Sequence, residues 1–162
     1  MLRSLILCVV ASLPALAQPD PVAAPEGARL RLTLGADGVQ IYRCTAGAAG
    51  PRWAFEGPEA ALFDQQGRQV GTHGAGPFWR LADGSLVRGT VAAQRPAPAM
   101  GAIPWLLLRV SAREGEGSLT PITEIRRIDT VAGTPPAGGC DAADVGRQLR
   151  MRYSANYLFY GN

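Results

Sequence analysis

At 162 residues, with 47% hydrophobic and 18% charged residues, the chain has material for one domain with a real core and too little for two. Every base is an arginine, and the formal charge of +3 against thirteen acids leaves no basic field of the kind a polyanion needs, so nucleic acid is not an expected partner.

The chain opens on Met1-Leu2-Arg3, a short basic start, followed by an apolar run from Ser4 to Leu16. Ala15-Leu16-Ala17 is a small-x-small cleavage site ahead of Gln18-Pro19. The apolar run spans about thirteen residues where a membrane-crossing helix needs roughly twenty. Residues 1–17 therefore read as a removable signal, and the expected product is exported to the periplasm or the medium and is not an integral membrane protein after cleavage. Cys8 lies inside the apolar run and leaves with it. Cys44 and Cys140 remain, an even pair in an oxidising compartment, where a disulfide is the default reading and two buried thiols the alternative. Such a bridge would close most of the mature chain and, on the chain-entropy model, contribute about 4–5 kcal/mol.

Residues 18–27 are rich in proline and small residues and read as a flexible leader, which puts a single β-rich domain at residues 28–162. Leu30, Leu32 and Leu34 alternate with Arg29, Arg31 and Thr33, the period of a strand with one buried face. Gly35-Ala36-Asp37-Gly38 predicts a hairpin turn before Val39 to Cys44 resumes extended character. Trp53 to Phe55 and Ala61 to Phe63 are short extended pieces. The Asp64-Gln65-Gln66-Gly67 turn, another extended piece from Gln69 to Thr72, Phe78 to Leu81, an Asp83-Gly84 turn and Leu86 to Ala92 follow. A proline-rich loop, Arg95 to Met100, leads to Ile103 to Val110, which reads as a central core strand with Pro104 at its start.

Ile122, Ile125 and Ile128 recur every third residue and predict a bulged strand. After a Gly-Pro loop from Ala132 to Gly139, the chain ends in its cleanest alternation. Leu149, Met151, Tyr153, Ala155, Tyr157 and Phe159 share one face, opposite Gln148, Arg150, Arg152, Ser154 and Asn156. No window has helical periodicity, and turn chemistry every eight to twelve residues predicts an all-β sandwich or a closed or partly open barrel. A small lipid-facing barrel is the alternative raised by the aromatic last strand, opposed by the thirteen prolines and the lack of repeated alternating segments.

His73, the only histidine, sits in Gly71-Thr72-His73-Gly74-Ala75-Gly76-Pro77-Phe78-Trp79, where glycines let a ligand approach the backbone. A structural hydrogen-bonding role is the simpler reading. A general base is the alternative, and a metal site lacks the further imidazole or thiolate ligands it needs. Glu56, Glu59, Asp64 and Asp83 are candidates for a carboxylate pair that cleaves glycosidic bonds, although all fall in or beside turns, where acids are ordinary. Ser85 lacks the Gly-x-Ser-x-Gly setting of a hydrolase nucleophile. Among the aromatics, Trp53 and Trp105 are expected in the core, and Trp79, next to a Gly-Pro loop, is expected to be partly exposed and to offer a face to a ligand.

Several short motifs occur in a fixed order: Gln40-Ile41-Tyr42-Arg43-Cys44, Trp53-x-Phe55, His73 to Trp79, Asp83-Gly84-Ser85, Ile103-Pro104-Trp105-Leu106-Leu107-Leu108, Ile125 to Thr130, Gly139-Cys140-Asp141 and Tyr153-x-Ala155-x-Tyr157-x-Phe159-Tyr160. Over roughly residues 28 to 160 this set resembles the exported bacterial and fungal family known as domain of unknown function 3455. The resemblance implies a single secreted β-rich domain with a shared pattern around Cys44 and Cys140, and it brings no activity with it. Gly74 stands where family members commonly have an aromatic, which weakens a stacking role there. Some fungal relatives are labelled dehydrogenases, but this chain has no glycine-rich strand-to-helix dinucleotide site and no cofactor is expected.

The expected function is a non-catalytic binding or cell-envelope module, with the Gly71–Trp79 segment as the site and His73 and Trp79 as its contacts. Its ligand would be an unidentified small molecule or glycan. The alternatives are a hydrolase of extracellular or wall polymer using His73 or the Asp64 and Asp83 carboxylates, and a structural envelope protein that binds a protein partner.

Overall fold

The computed structural model describes residues 18–162, so the signal read at residues 1–17 lies outside the described residues. Eight strands follow in chain order: β1 Arg29–Thr45, β2 Arg52–Phe63, β3 Gln69–Gly74, β4 Phe78–Leu81, β5 Leu86–Arg95, β6 Trp105–Glu114, β7 Ile122–Ala132 and β8 Gln148–Gly161. Each pairs antiparallel with the next, and β8 closes onto β1, so the choice between sandwich and barrel resolves to a closed up-and-down barrel. One short 3-10 turn, Ala142–Asp144, interrupts the β7–β8 connection. Cys44 and Cys140 form a disulfide with their Cα atoms 6.1 Å apart.

The turn expected at Gly35–Gly38 is not a turn. β1 runs through it, with Asp37 pairing Ala61 and Gly38 pairing Ala60. The physical reason is phase: Leu34, Ala36, Gln40, Tyr42 and Cys44 are all buried, so the inward period of two never breaks. Gly38 is a glycine because the strands are close there. A Cβ would come within 2.6 Å of the Ala60 Cβ and 2.2 Å of the Glu59 carbonyl oxygen. The two pieces expected at Trp53–Phe55 and Ala61–Phe63 likewise belong to one strand, β2, with a register shift opposite Ile41 and Tyr42. The bulge expected in the isoleucine segment is present, since β7 shifts register against β8 between Ile128 and Val131, with Asp129 at φ 50°.

The leader is docked rather than loose at one point. Val22 is fully buried, its carbonyl accepts a 2.6 Å hydrogen bond from Arg126 Nε, and Asp20 pairs with Arg95 at 3.1 Å.

The barrel has two rims. The leading rim, where β1 begins, carries the turns at residues 64–68 and 82–85 and the loop at 115–121. The opposite, disulfide rim carries the connections at residues 46–51, 75–77, 96–104 and 133–147. Toward the leading rim the interior is apolar: Leu34, Leu62, Leu108, Ile122, Ile125 and Phe159 are buried, and Leu119 from the 115–121 loop plugs the end. Each such side chain contributes about 1.5–3 kcal/mol on leaving water.

The outer wall is charged. Arg150 on β8 reaches over β1 to pair with Glu59 on β2 at 2.9 Å, and Arg152 on β8 reaches Asp37 on the neighbouring β1 at 3.7 Å. These outward charges on β1, β2 and β8 stand where the lipid-facing alternative needs a continuous apolar band. Among the described residues no helix is long and apolar enough to cross a membrane.

Candidate functional site

Toward the disulfide rim the interior changes character. β1 turns Gln40 and Tyr42 inward, β7 Arg127 and Thr130, β8 Tyr153 and Tyr157, β3 His73 and β4 Trp79, and all of these are buried. Eight strands enclose a space that side chains just fill or that holds one small ligand. Here the filling is polar.

Some of these groups are satisfied. The Tyr42 hydroxyl donates to the Gly133 carbonyl at 2.8 Å, Thr130 Oγ1 to the Ile103 carbonyl at 2.6 Å, and Arg127 Nε and Nη2 both donate to the Pro104 carbonyl at 3.1 and 2.8 Å. Others are not. Gln40 Nε2, Trp79 Nε1 and the hydroxyls of Tyr153 and Tyr157 have no hydrogen-bond partner among the described residues. Tyr153 faces Gln40 and Tyr157, and Tyr157 faces Arg127, yet these pairs fall short of hydrogen-bond geometry. A buried polar group left unpaired costs about 1–3 kcal/mol, so four in one interior require a reason.

Electrostatics sharpen the picture. Arg127 is 8% exposed and forms no ion pair among the described residues. Its charge acts on Tyr42, His73, Tyr153 and Tyr157. Burial raises the pKa of Tyr153 and Tyr157, more than the nearby guanidinium lowers it, so both phenols keep their protons near neutral pH. His73 is pushed down to about 4, chiefly by burial, with the Phe78 hydrogen bond opposing the shift and Arg127 adding to it. Its Nδ1 lies 2.7 Å from the Phe78 carbonyl oxygen, which only an Nδ1–H donor satisfies, and the neutral ring stacks on Trp79 with centroids 4.6 Å apart.

His73 and Trp79 are thus brought together, but not at a surface loop. The expectation that Trp79 is partly exposed is wrong: it is fully buried, edge-on to Tyr157 at 5.4 Å. The β3–β4 hairpin pairs His73 directly with Trp79, so both point inward, and Gly89 leaves room for the indole because a Cβ there would lie 3.2 Å from Cζ3. The expectation that Trp53 and Trp105 sit in the core is also wrong, since both are only half-buried. Trp53 Nε1 donates to the Gly139 carbonyl at 2.8 Å and so fastens the 133–147 connection, while Trp105 lies under Arg95 at 4.1 Å.

Asp64 and Asp83 lie at the other end. They border a 280 Å³ depression on the leading rim with Leu32, Leu34, Val70 and Leu81. Asp64 accepts from the backbone and side chain of Arg68 and from Gln66 N, and these bonds, the Arg68 backbone bond foremost, hold it below the usual carboxylate range. Asp83 accepts from Ser85 Oγ at 2.6 Å and Ser118 N at 2.7 Å, which hold it well below that range. Both carboxylates tie turns together and are held ionised, and no hydrogen bond joins either to His73 among the described residues. Glu56 and Glu59 stand on the outer wall, paired with Arg43 and Arg150. The described residues hold no group of three or more His, Cys, Asp or Glu placed to share a metal ion.

The disulfide rim is fixed from above. Besides the Cys44–Cys140 bond, Cys44 N donates to the Arg147 carbonyl and Gly146 N to the Cys44 carbonyl, each at 2.9 Å, and Arg43 Nη1 donates to the Gly146 carbonyl at 2.9 Å. The cysteines therefore hold the 133–147 connection against the polar end of the interior.

Arg127, Gln40, Tyr153 and Tyr157 are absent from the candidates read in the sequence. A signal was there for Arg127, because it follows Ile125 by two residues and so shares its inward phase.

A family model described as Protein of unknown function (DUF3455) matches residues 25–161. No curated protein matches the chain. No solved structure matches it either.

Proposed function

We propose that this chain, which belongs to the DUF3455 family of unknown function, is an exported, non-catalytic binding barrel whose ligand chamber is the polar half of its interior. The observation that carries this reading is the set of four buried polar atoms without partners, on Gln40, Trp79, Tyr153 and Tyr157. A core built only for stability would fill those positions with apolar side chains, as the other half of the same barrel does. Donors held ready in a dry, rigid wall are what a small polar ligand requires.

The assignment moves the ligand contacts inward from the Gly71–Trp79 loop to the buried polar side chains of the barrel interior, His73 and Trp79 among them. The hydrolytic alternative calls on a His73 that is neutral and stacked and on Asp64 and Asp83, which are engaged at the opposite rim. No observation favours it.

Two experiments test the reading. Amino-terminal sequencing of the protein recovered from its host should begin at Gln18, and an intact Met1 would refute export. Titration of the full chain with small polar metabolites and soluble wall sugars, followed by NMR, should find saturable binders whose affinity falls in Tyr153→Phe. A panel that produces no binder, or binders indifferent to Tyr153 and Tyr157, would refute the chamber.

A further inference from the structure

We infer that the ligand of this chamber is a small monocarboxylate, taken by the Arg127 guanidinium with Tyr157, Tyr153 and Gln40 donating to it, an assignment of ligand class that rests on the binding reading above. Three features of the interior lead to it.

The first is charge. Arg127 is the buried cation of the chamber and no carboxylate among the described residues meets it, whereas the arginines on the outer wall that do form pairs meet Asp or Glu. A buried guanidinium without a counter-charge is costly, and an incoming anion removes that cost. The second is polarity. Gln40 Nε2 and Trp79 Nε1 can only donate, and the two protonated phenols can donate as well as accept, so one acceptor-rich group can meet all four atoms. The third is stoichiometry. His73 is committed through Nδ1–H to the Phe78 carbonyl and adds no charge, leaving one positive charge in the chamber. One charge balances a monoanion, while a phosphate dianion would carry excess charge into a medium of low dielectric.

Entry would lie at the disulfide rim, where Pro104 is exposed. A 500 Å³ depression there is bordered by Arg95, Met100, Gly101, Thr134 and Pro104, and Pro104 is the residue whose carbonyl holds Arg127 from the inside. A carboxylate passing Pro104 would exchange a neutral acceptor for a charged one, and its two oxygens match the guanidinium fork.

The test uses the full chain purified from its host, with acetate, hexanoate and benzoate as probes, their primary amides as uncharged controls of the same shape, and inorganic phosphate as the dianion. Binding is read from the Arg Nε–Hε signals in 1H–15N NMR and from thermal shift. The expected result is saturable binding of at least one carboxylate, at least about tenfold tighter than its amide, as loss of a charge-assisted pair implies. The Arg127 Nε–Hε signal should move with it, and Arg127→Met should abolish the effect. Should that variant fail to fold, the Arg127 signal in the unaltered protein decides alone. Amides binding as well as carboxylates would overturn the carboxylate assignment while leaving the chamber standing. Phosphate binding more tightly than every carboxylate would do the same. Carboxylate binding that leaves the Arg127 signal unmoved would place the anion elsewhere. No binding by either series would count against the carboxylate and, if other polar ligands also fail, against the chamber itself.

Discussion

Leu62 and Tyr157 are equally removed from water, on the same inward face and in one buried cluster, yet Leu62 brings no polar atom there and Tyr157 brings a hydroxyl without a partner. Toward the leading rim, Leu34, Leu62, Leu108, Leu119, Ile125 and Phe159 fill the interior with apolar side chains, and the acids at that rim, Asp64 and Asp83, are turned to fastening turns. Toward the disulfide rim, Gln40, Tyr153 and Tyr157 are just as buried and leave polar atoms unpaired, beside an Arg127 that pairs only with the Pro104 carbonyl. Burial alone does not make a core. One half of this interior stabilises the fold, and the other is held in place by it, under a connection locked by the disulfide.

The strongest way to break the contrast is to release that lock. Cys44→Ser frees the 133–147 connection and enlarges the unfolded ensemble by a loop of most of the chain, and it should lower the unfolding free energy by about 4–5 kcal/mol in urea denaturation. Leu62→Ala attacks the apolar half and should cost about 2–5 kcal/mol through lost burial and a residual cavity. It should leave ligand affinity unchanged at equal folded fraction, which separates it from changes in the polar half.

Acid tests the polar half next. The imidazole of His73 titrates at about 4 when folded against an ordinary 6.5, so the fold holds the neutral form. Its contribution is complete above pH 6.5 and is lost as pH falls toward 4, about 3 kcal/mol over that window. The carboxylates of Asp64 and Asp83 are lowered instead, so their contributions are lost only below the ordinary carboxylate range. Denaturation midpoints followed from pH 7 to pH 4 should therefore slope downward, and His73→Phe should flatten that slope while leaving the fall at lower pH. A slope unchanged in His73→Phe would mean that another group titrates there.

Much of the frame was legible because turn chemistry and period two are local. The Asp64–Gly67 and Asp83–Gly84 turns and the alternation of β8 stand where the residues put them. Closure into a barrel was not legible, because it depends on β1 pairing with β8, more than a hundred residues away in the chain. Asp37-Gly38 misled for a related reason: it has the composition of a turn, and only the nearness of Ala60 shows that the glycine is there to make room. Trp79 misled because its Gly-Pro neighbours suggested a surface, whereas direct pairing with His73 fixes its inward phase. The polar chamber was least legible. It gathers Gln40, His73, Arg127 and Tyr157 from four strands, and no single segment carries more than one or two of them.

The most direct measurement pairs stability with binding in Tyr153→Phe/Tyr157→Phe. Removing two buried hydroxyls that lack partners should leave the unfolding free energy within about 1 kcal/mol of the parent, on the side of a gain, because the cost of burying them unpaired disappears. Affinity for the chamber's ligand should fall about tenfold or more, as loss of two donors implies. A variant destabilised by about 2 kcal/mol or more, with affinity unchanged, would show that the hydroxyls serve the fold. That result would contradict a polar half kept for a ligand.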